Sequence, residues 1–382
     1  MVEGGFIQSK EVKSAFLTTP RHLFLPEVDL KEAYTDGSVI TKQIGIVPTS
    51  SSTAPSLMAS MLEILHLKKG LKVLEIGTGT GYNAAILAKL VDDPENVFSV
   101  DIDKDTIKEA GQNLLKIGCG DITLRCVDGA DGLPQYAPYD RIIVTASVKT
   151  IPQPLVDQLK VGGIIVLPIW FNGTQIAPSL QKQKGGSFIG TSTMIGGYME
   201  LRSKSYQKAA SKLLVCSENP SLFKESEVIS LLKKSYKEKA LPFSGILPPR
   251  ASNFYVFLAL HEPKSVEIFL DDNIKGLNFG DSAAGIVDLK NNSACLFTRD
   301  NKLLVYGNDG AHQKMLKHLK LWDELKRPFV DRLQLFYYPK SLVSQVKLQN
   351  GDIFFRDKSI VVRILRKGVE RSESNYNKQV KG

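Results

Sequence analysis

Three glycines stand at alternate positions in the stretch VLEIGTGTGYNAAILAKLV, as Gly77, Gly79 and Gly81. An apolar β-forming run precedes them and a helically spaced run follows, so the chain turns sharply where the N–H groups of a helix start are unpaired. Glycine accepts positive φ and lets a ligand approach the backbone. Acids recur at the ends of three successive apolar runs: Glu75 in the turn, Asp101 in VFSVDID and Asp128 in CVDGADG. Glu75 suits a ligand bearing an ammonium and a sulfonium, Asp101 can accept both hydroxyls of a ribose, and Asp128 can accept from an adenine amino group. Each acid alone reads as a turn residue or a helix cap. Together they point to S-adenosylmethionine, with Thr78, Tyr82, Ile102 and Gly129 as flanking contacts. A dinucleotide fits less well, because the G-x-G-x-x-G fingerprint requires glycine at the position of Tyr82.

The elements that must position these residues follow from the apolar pattern. KVLEI, VFSVDI, ITLRCV, DRIIVTA and GGIIVLPIW read as buried strands, with helical segments between most of them. Right-handed crossovers then give an α/β fold, a doubly wound and mostly parallel sheet with ligands at the carboxyl ends of its strands. Upstream, Leu57, Met61, Ile64 and Leu65 keep helical spacing, and His66 ends that helix. After Arg202 the rhythm changes. A polar helical region runs to SYKEKALPFSGILPPR, followed by β-rich runs NFYVFLAL, SVEIFL, LLVYG, LQLFYYP and IVVRIL and one helix, AHQKMLKHLKLWDELKR. These predict a second, smaller α+β domain over 206–366, with Trp322 in its core. Residues 1–205 form the first domain, expected to fold alone behind a polar junction, and 367–382 read as a disordered tail.

The chain has 382 residues and a formal charge of +9. Residues 1–180 hold 16 basic and 20 acidic side chains, and the remainder holds 33 and 20. The basic half raises nucleic acid as a partner, but its charges are scattered as on a solvated surface, so nucleic acid is not expected. No apolar run approaches a membrane span or a secretory leader, which predicts a cytoplasmic protein without membrane contact. Cys119, Cys126, Cys216 and Cys295 form no C-x-x-C pair and read as small buried hydrophobes, so neither a metal site nor disulfides are expected.

TTPRHLFLPEVDLKEAYTD, TAPSLMASMLE, the glycine stretch, DGADGLPQYAPYDRIIVTAS and IPQPLVDQLKVGGIIVLPIW occur in this order. Over roughly Phe6 to Arg202 the chain resembles the protein-L-isoaspartate O-methyltransferases, in a long form with a carboxy-terminal extension. The resemblance implies a Rossmann-like S-adenosylmethionine-dependent enzyme that methylates the carboxylate of isoaspartyl residues in damaged proteins. Some longer relatives are associated with modifying aspartate in ribosomal peptides, which leaves normal aspartate in a partner peptide as an alternative substrate. A cofactor-holding protein that binds nucleic acid is a further alternative.

A carboxylate acceptor is ionised near neutrality, with a pKa of about 4, so methyl transfer to it needs alignment rather than a general base. Ser51, Ser52 and Thr53 in VPTSSSTAPS supply hydroxyls suited to orienting such an acceptor. Aligned on Pro55, the family's Thr-x-Ser-x-Pro-His run places threonine on Ser51, serine on Thr53 and histidine on Ser56. The missing histidine bears on substrate range. A bland alternative makes the hydroxyl run the cap of the next helix. His22 in PRHLFLP also matches the family; it reads as structural, with neighbouring Arg21 an equal candidate for the polar role.

Overall fold

The computed structural model describes residues 1–44, 47–203, 213–216, 224–242, 250–270, 276–277, 282–298 and 301–365. The tail expected to be disordered, 367–382, lies outside the described residues. Helix α1 (Lys10–Thr18) is capped by the Ser9 hydroxyl, a 3-10 turn spans Arg21–Phe24, and Asp29 caps the short α2 (Leu30–Ala33). An antiparallel hairpin of β1 (Val39–Ile44) and β2 (Val47–Ser52) leads into α3 (Pro55–Leu65). Pro55 sits in the first turn of α3, where a backbone N–H is dispensable. His66 closes α3 in the left-handed conformation, the helix-end role expected of it.

Strand and helix then alternate through β3 (Val73–Ile76), α4 (Tyr82–Val91), β4 (Val97–Asp101), α5 (Lys104–Lys116), β5 (Thr123–Cys126), β6 (Tyr139–Val144), α6 (Gln153–Gln158) and β7 (Leu159–Val166). The five strands from β3 to β7 pair in parallel in the order β5-β4-β3-β6-β7. Successive residues of β3 enter opposite cores, Val73 one and Leu74 the other, so the strand is buried on both faces and Glu75 is its one polar residue. Beyond β7 the sheet turns antiparallel through β8 (Ile169–Phe171), β9 (Thr174–Lys182) and β10 (Phe188–Ile195).

The second half contributes β11 (Leu213–Cys216), α7 (Glu225–Leu232), β12 (Tyr236–Ala240), α8 (Arg250–His261), β13 (Ser265–Leu270), β14 (Ser282–Asp288), β15 (Ser293–Thr298), β16 (Lys302–Gly307) and α9 (Gly310–Glu324). Its strands form an antiparallel sheet in the order β11-β13-β14-β15-β16-β12. Trp322 of α9 is buried against Phe254, as expected of a core residue.

Three segments differ from the sequence reading, the first being LLVC, which falls in the stretch read as helical and is strand β11. NFYVFLAL lies in helix α8, not a strand: Val256 and Leu260 enter the core of the first sheet, while Phe254, Tyr255, Phe257 and Leu258 enter that of the second. A helix wedged between two sheets is apolar all round, and its pattern imitates a buried strand. YKEKA, read as helical, is the edge strand β12, whose lysines keep that edge from pairing with other chains. Cys119 and Cys295 are buried as expected, but Cys126 at the sheet edge is exposed; the side chain of Cys216 lies outside the described residues.

The first sheet is not completed by residues 1–205. After α9 the chain returns as β17 (Leu333–Tyr337), β18 (Ile353–Phe355) and β19 (Ile360–Ile364); β17 pairs with β10, β19 with β17, and β18 with β19. Leu333, Leu335, Tyr337, Ile360 and Val362 join the core that contains Leu74 and Ile76. The contact is close, since a Cβ on Gly190 would lie 2.9 Å from the backbone N and O of Leu335. A fragment ending at residue 206 should therefore expose the apolar edge around Phe188 and Ile189, bind a hydrophobic dye and melt without a cooperative transition. A sharp melt matching that of the full chain, with no dye binding, would show that the returning strands are dispensable.

Candidate active site

The turn after β3 is held by its own backbone: Gly77 N and Thr78 N both donate to Val100 O, and Gly81 N donates to Thr78 O. Gly77 has φ 98°, and a side chain there would collide with the Thr145 hydroxyl at 2.3 Å. Gly79, at φ 52°, lies so close to the hairpin that its Cβ would stand 3.8 Å from Ser51 O. The turn and hairpin thus face each other across a cleft that is half open to solvent. Ser51, Ser52, Thr53, Gly77, Thr78, Gly79 and Tyr82 all line it. The sequence reading missed Met58, Met61, Thr80, Asn83, Ile143 and Thr145, which complete the lining.

Tyr82, which replaces the third glycine of a dinucleotide loop, packs its buried ring on Phe16 and Phe24 at centroid distances of 6.2 and 5.3 Å. Gly81 caps α4 in the left-handed conformation. Asp101 ends β4 with Oδ2 accepting from Gly79 N at 3.2 Å and Oδ1 from Asp103 N at 3.1 Å, so it is tied to the rim of the glycine turn. Asp128 and Gly129 follow β5, one strand further out: Asp128 accepts from Ala130 N, and a Cβ on Gly129 would meet Ile76 Cγ2. Ile102 stands between these groups, its carbonyl accepting from the Cys126 thiol. Asp101, Ile102, Asp128 and Gly129 lie at neighbouring strand ends outside the enclosed part of the cleft.

Glu75 is where the structure departs from expectation. Its side chain is 0% exposed and lies behind the turn, Oε1 accepting from Asn83 Nδ2 at 2.8 Å and Oε2 from Ser99 Oγ at 2.5 Å. It does not present its charge to a ligand directly. The Ser99 hydroxyl continues to Thr78 Oγ1 at 2.7 Å, and Thr78 lines the cleft. While Glu75 is ionised, Ser99 spends its proton on the carboxylate and Thr78 must donate to Ser99, which leaves the Thr78 oxygen an acceptor toward the cleft. Burial pushes the Glu75 pKa up to about 7, against the opposing pull of the two hydrogen bonds.

Asn83 adds the observation that bears most on a ligand. Its amide nitrogen is committed to Glu75, so its Oδ1 is a buried acceptor with no partner. A buried carbonyl without a donor is costly, and a ligand ammonium entering the cleft would satisfy it. The residues present therefore suit S-adenosylmethionine: an orphan acceptor, a backbone cradle free of side chains and a carboxylate at the end of β4. Asn83 and Ser99 left a trace in the sequence, as single polar residues inside otherwise apolar runs.

The hydroxyl run is not the cap of α3. The capping position is Ala54, with no side-chain bond, and the first N–H groups are served from elsewhere: Ser38 Oγ accepts from Ala54 N and Asp36 Oδ1 from Ser56 N. Ser51 and Thr53 are left facing the cleft. Arg21, at the start of its 3-10 turn, reaches Ser52 Oγ and the carbonyls of Ser52 and Thr53. His22 instead meets the Tyr34 hydroxyl at 2.9 Å, away from the cleft lining.

The family model described as "Protein-L-isoaspartate(D-aspartate) O-methyltransferase (PCMT)" matches residues 1–206. A protein-L-isoaspartate O-methyltransferase of Ignicoccus hospitalis is 41% identical over 169 residues, covering 44% of this chain and 78% of that protein. The like-named protein of Methanosarcina mazei is 43% identical over 171 residues, covering 44% and 68%. That of Dictyoglomus thermophilum is 41% identical over 182 residues, covering 48% and 79%.

The buried carboxyl predicts an unusual pH dependence of stability. Between about 4.5, where Glu75 titrates in the unfolded chain, and about 7, the folded chain keeps a proton that the unfolded chain has released. The contribution of Glu75 to stability therefore falls as pH rises through that window and levels off above it. Glu75→Gln, which cannot ionise, should flatten this part of the curve in thermal melts taken from pH 4.5 to 8. Parallel curves for the two proteins would remove Glu75 as the source.

Proposed function

The chain belongs to the protein-L-isoaspartate(D-aspartate) O-methyltransferase family, and from that premise we propose that the cleft methylates the carboxylate of L-isoaspartyl residues in damaged proteins. The observation that carries this is the joining of the glycine turn and the hydroxyl run across one cleft. S-adenosylmethionine, when bound, supplies a methyl carbon already activated by its sulfonium, so attack by a carboxylate oxygen requires no proton removal.

The chain's residues have positioning roles. Asp101 accepts the ribose hydroxyls, Asp128 and Gly129 stand at the adenine end beside Ile102, and Asn83 Oδ1 accepts from the ammonium of the methionine moiety. Thr78 and the backbone of Gly77 and Gly79 shape the floor. Glu75 acts from behind, fixing Asn83 and the polarity of the Thr78 hydroxyl. On the opposite wall Ser51, Ser52 and Thr53 orient the acceptor carboxylate. Among the described residues the cleft lining holds no histidine, aspartate or glutamate, which agrees with an acceptor that arrives already ionised. Among the described residues no helix is long and apolar enough to cross a membrane.

Matched peptides carrying isoaspartate or aspartate at one position test the reading: the isoaspartyl peptide should accept methyl groups and the aspartyl peptide should not. Methylation of the aspartyl peptide alone would redirect the assignment to a dedicated partner peptide. Asp101→Ala should weaken S-adenosylmethionine binding about ten- to a hundredfold, the worth of hydrogen bonds to a charged group, as read by calorimetry. Ser51→Ala and Thr53→Val should instead lower turnover, on the order of 10²-fold for loss of an oriented donor, and leave that affinity nearly unchanged. Full activity in both variants would remove the hydroxyls from the catalytic role.

A further inference from the structure

Arg21 is the least expected charge in the molecule. Its side chain is 1% exposed, and among the described residues no carboxylate lies within ion-pair distance of it. Buried arginines ordinarily face a carboxylate, because an uncompensated charge in the interior is strongly destabilising. Here the guanidinium meets only neutral acceptors: Nη1 donates to Thr35 O at 3.3 Å, and Nη2 has Gly37 O, Ser52 O, Ser52 Oγ and Thr53 O at 3.1 to 3.4 Å. Nε has no partner. Asp36 acts on it only from farther away, and its Oδ1 accepts from Ser56 N.

Two consequences follow at the cleft wall. A guanidinium can only donate, so Ser52 Oγ accepts from it and the Ser52 proton remains available for another acceptor. Ser52 is itself buried and lines the cleft. The second consequence is electrostatic: a positive charge without a counter-ion, held in a medium of low dielectric behind the hydroxyl run, attracts an anion to the cleft wall.

We propose that Arg21 is a positioning and charge-selecting residue for the acceptor: it fixes the Ser52 hydroxyl as a donor toward the acceptor carboxylate, which serves as its missing counter-ion. The inference rests on the reading of the cleft as a carboxyl methyltransferase site. It adds a distinction that hydroxyls alone do not make. The acceptor enters as an anion and leaves as a neutral ester, so the same charge holds the substrate and releases the product.

The test uses the full chain and an isoaspartyl peptide, with the same peptide carrying an amide in place of the acceptor carboxylate as competitor. Arg21→Met should raise the KM for the acceptor about ten- to a hundredfold. The affinity for S-adenosylmethionine should stay within about twofold, since none of the hydrogen-bond partners of Arg21 is a residue assigned to that ligand. The preference of the wild type for carboxylate over amide should collapse in this variant. Arg21→Lys, which keeps the charge but not the fork, should restore much of the preference. Ser52→Ala should raise KM in the wild type and add little in the Arg21→Lys background, because the two changes remove one interaction. If Arg21→Met does not fold, the Arg21→Lys and Ser52→Ala pair decides alone. A purely structural Arg21 would weaken carboxylate and amide binding equally and lower cofactor affinity in step, and that result would overturn the proposal. Absence of methylation by the wild type would instead reject the reading on which it rests.

Discussion

The site depends on one carboxyl group buried behind the glycine turn. Glu75 receives the Asn83 amide from α4 and the Ser99 hydroxyl from β4, so strand, helix and neighbouring strand are tied together at the glycine turn. A charged group there needs at least two donors to offset its desolvation, and Ser99 and Asn83 are the polar exceptions in their apolar runs. The turn sits directly in front of this knot. Its shape, the unpartnered Asn83 acceptor and the orientation of Thr78 all follow from how Glu75 is satisfied.

The opposite wall is built on a different principle. Ser51, Ser52 and Thr53 are freed from capping duty because Asp36 and Ser38, some sixteen to twenty residues upstream, serve the start of α3. The hairpin that carries them is strapped to the cofactor side by Lys42, which pairs with Asp103 at the start of α5 and with Glu109. These two pairs are partly exposed and contribute little energy.

Much of the site was legible because glycine spacing and strand-end acids are local features. Gly77, Gly79, Tyr82 and the hydroxyl run fall on one cleft, and Asp101 reaches its rim through Gly79. Glu75 was misread in place and direction: it lies in β3 just before the turn, with its side chain held behind the turn by Asn83 and Ser99. The NFYVFLAL helix was hidden for a related reason, since burial on every side erases the period that separates helix from strand. The completion of the first sheet by β17 and β19 was beyond reach. Pairing between residues 189 and 336 is long-range, and nothing in either strand names its partner.

That pairing has a consequence for how the protein comes into being on the ribosome. The parallel strands and α4 emerge early, yet the edge at β10 stays bare until β17 has been translated. At the usual synthesis rates this interval is about ten to thirty seconds. During it a nascent chain carries a nearly finished nucleotide-type cleft beside an open apolar edge, a state suited to chaperone capture. The first sheet is thus closed by the chain's own last strands, and a chain that stops before β17 lacks that closure.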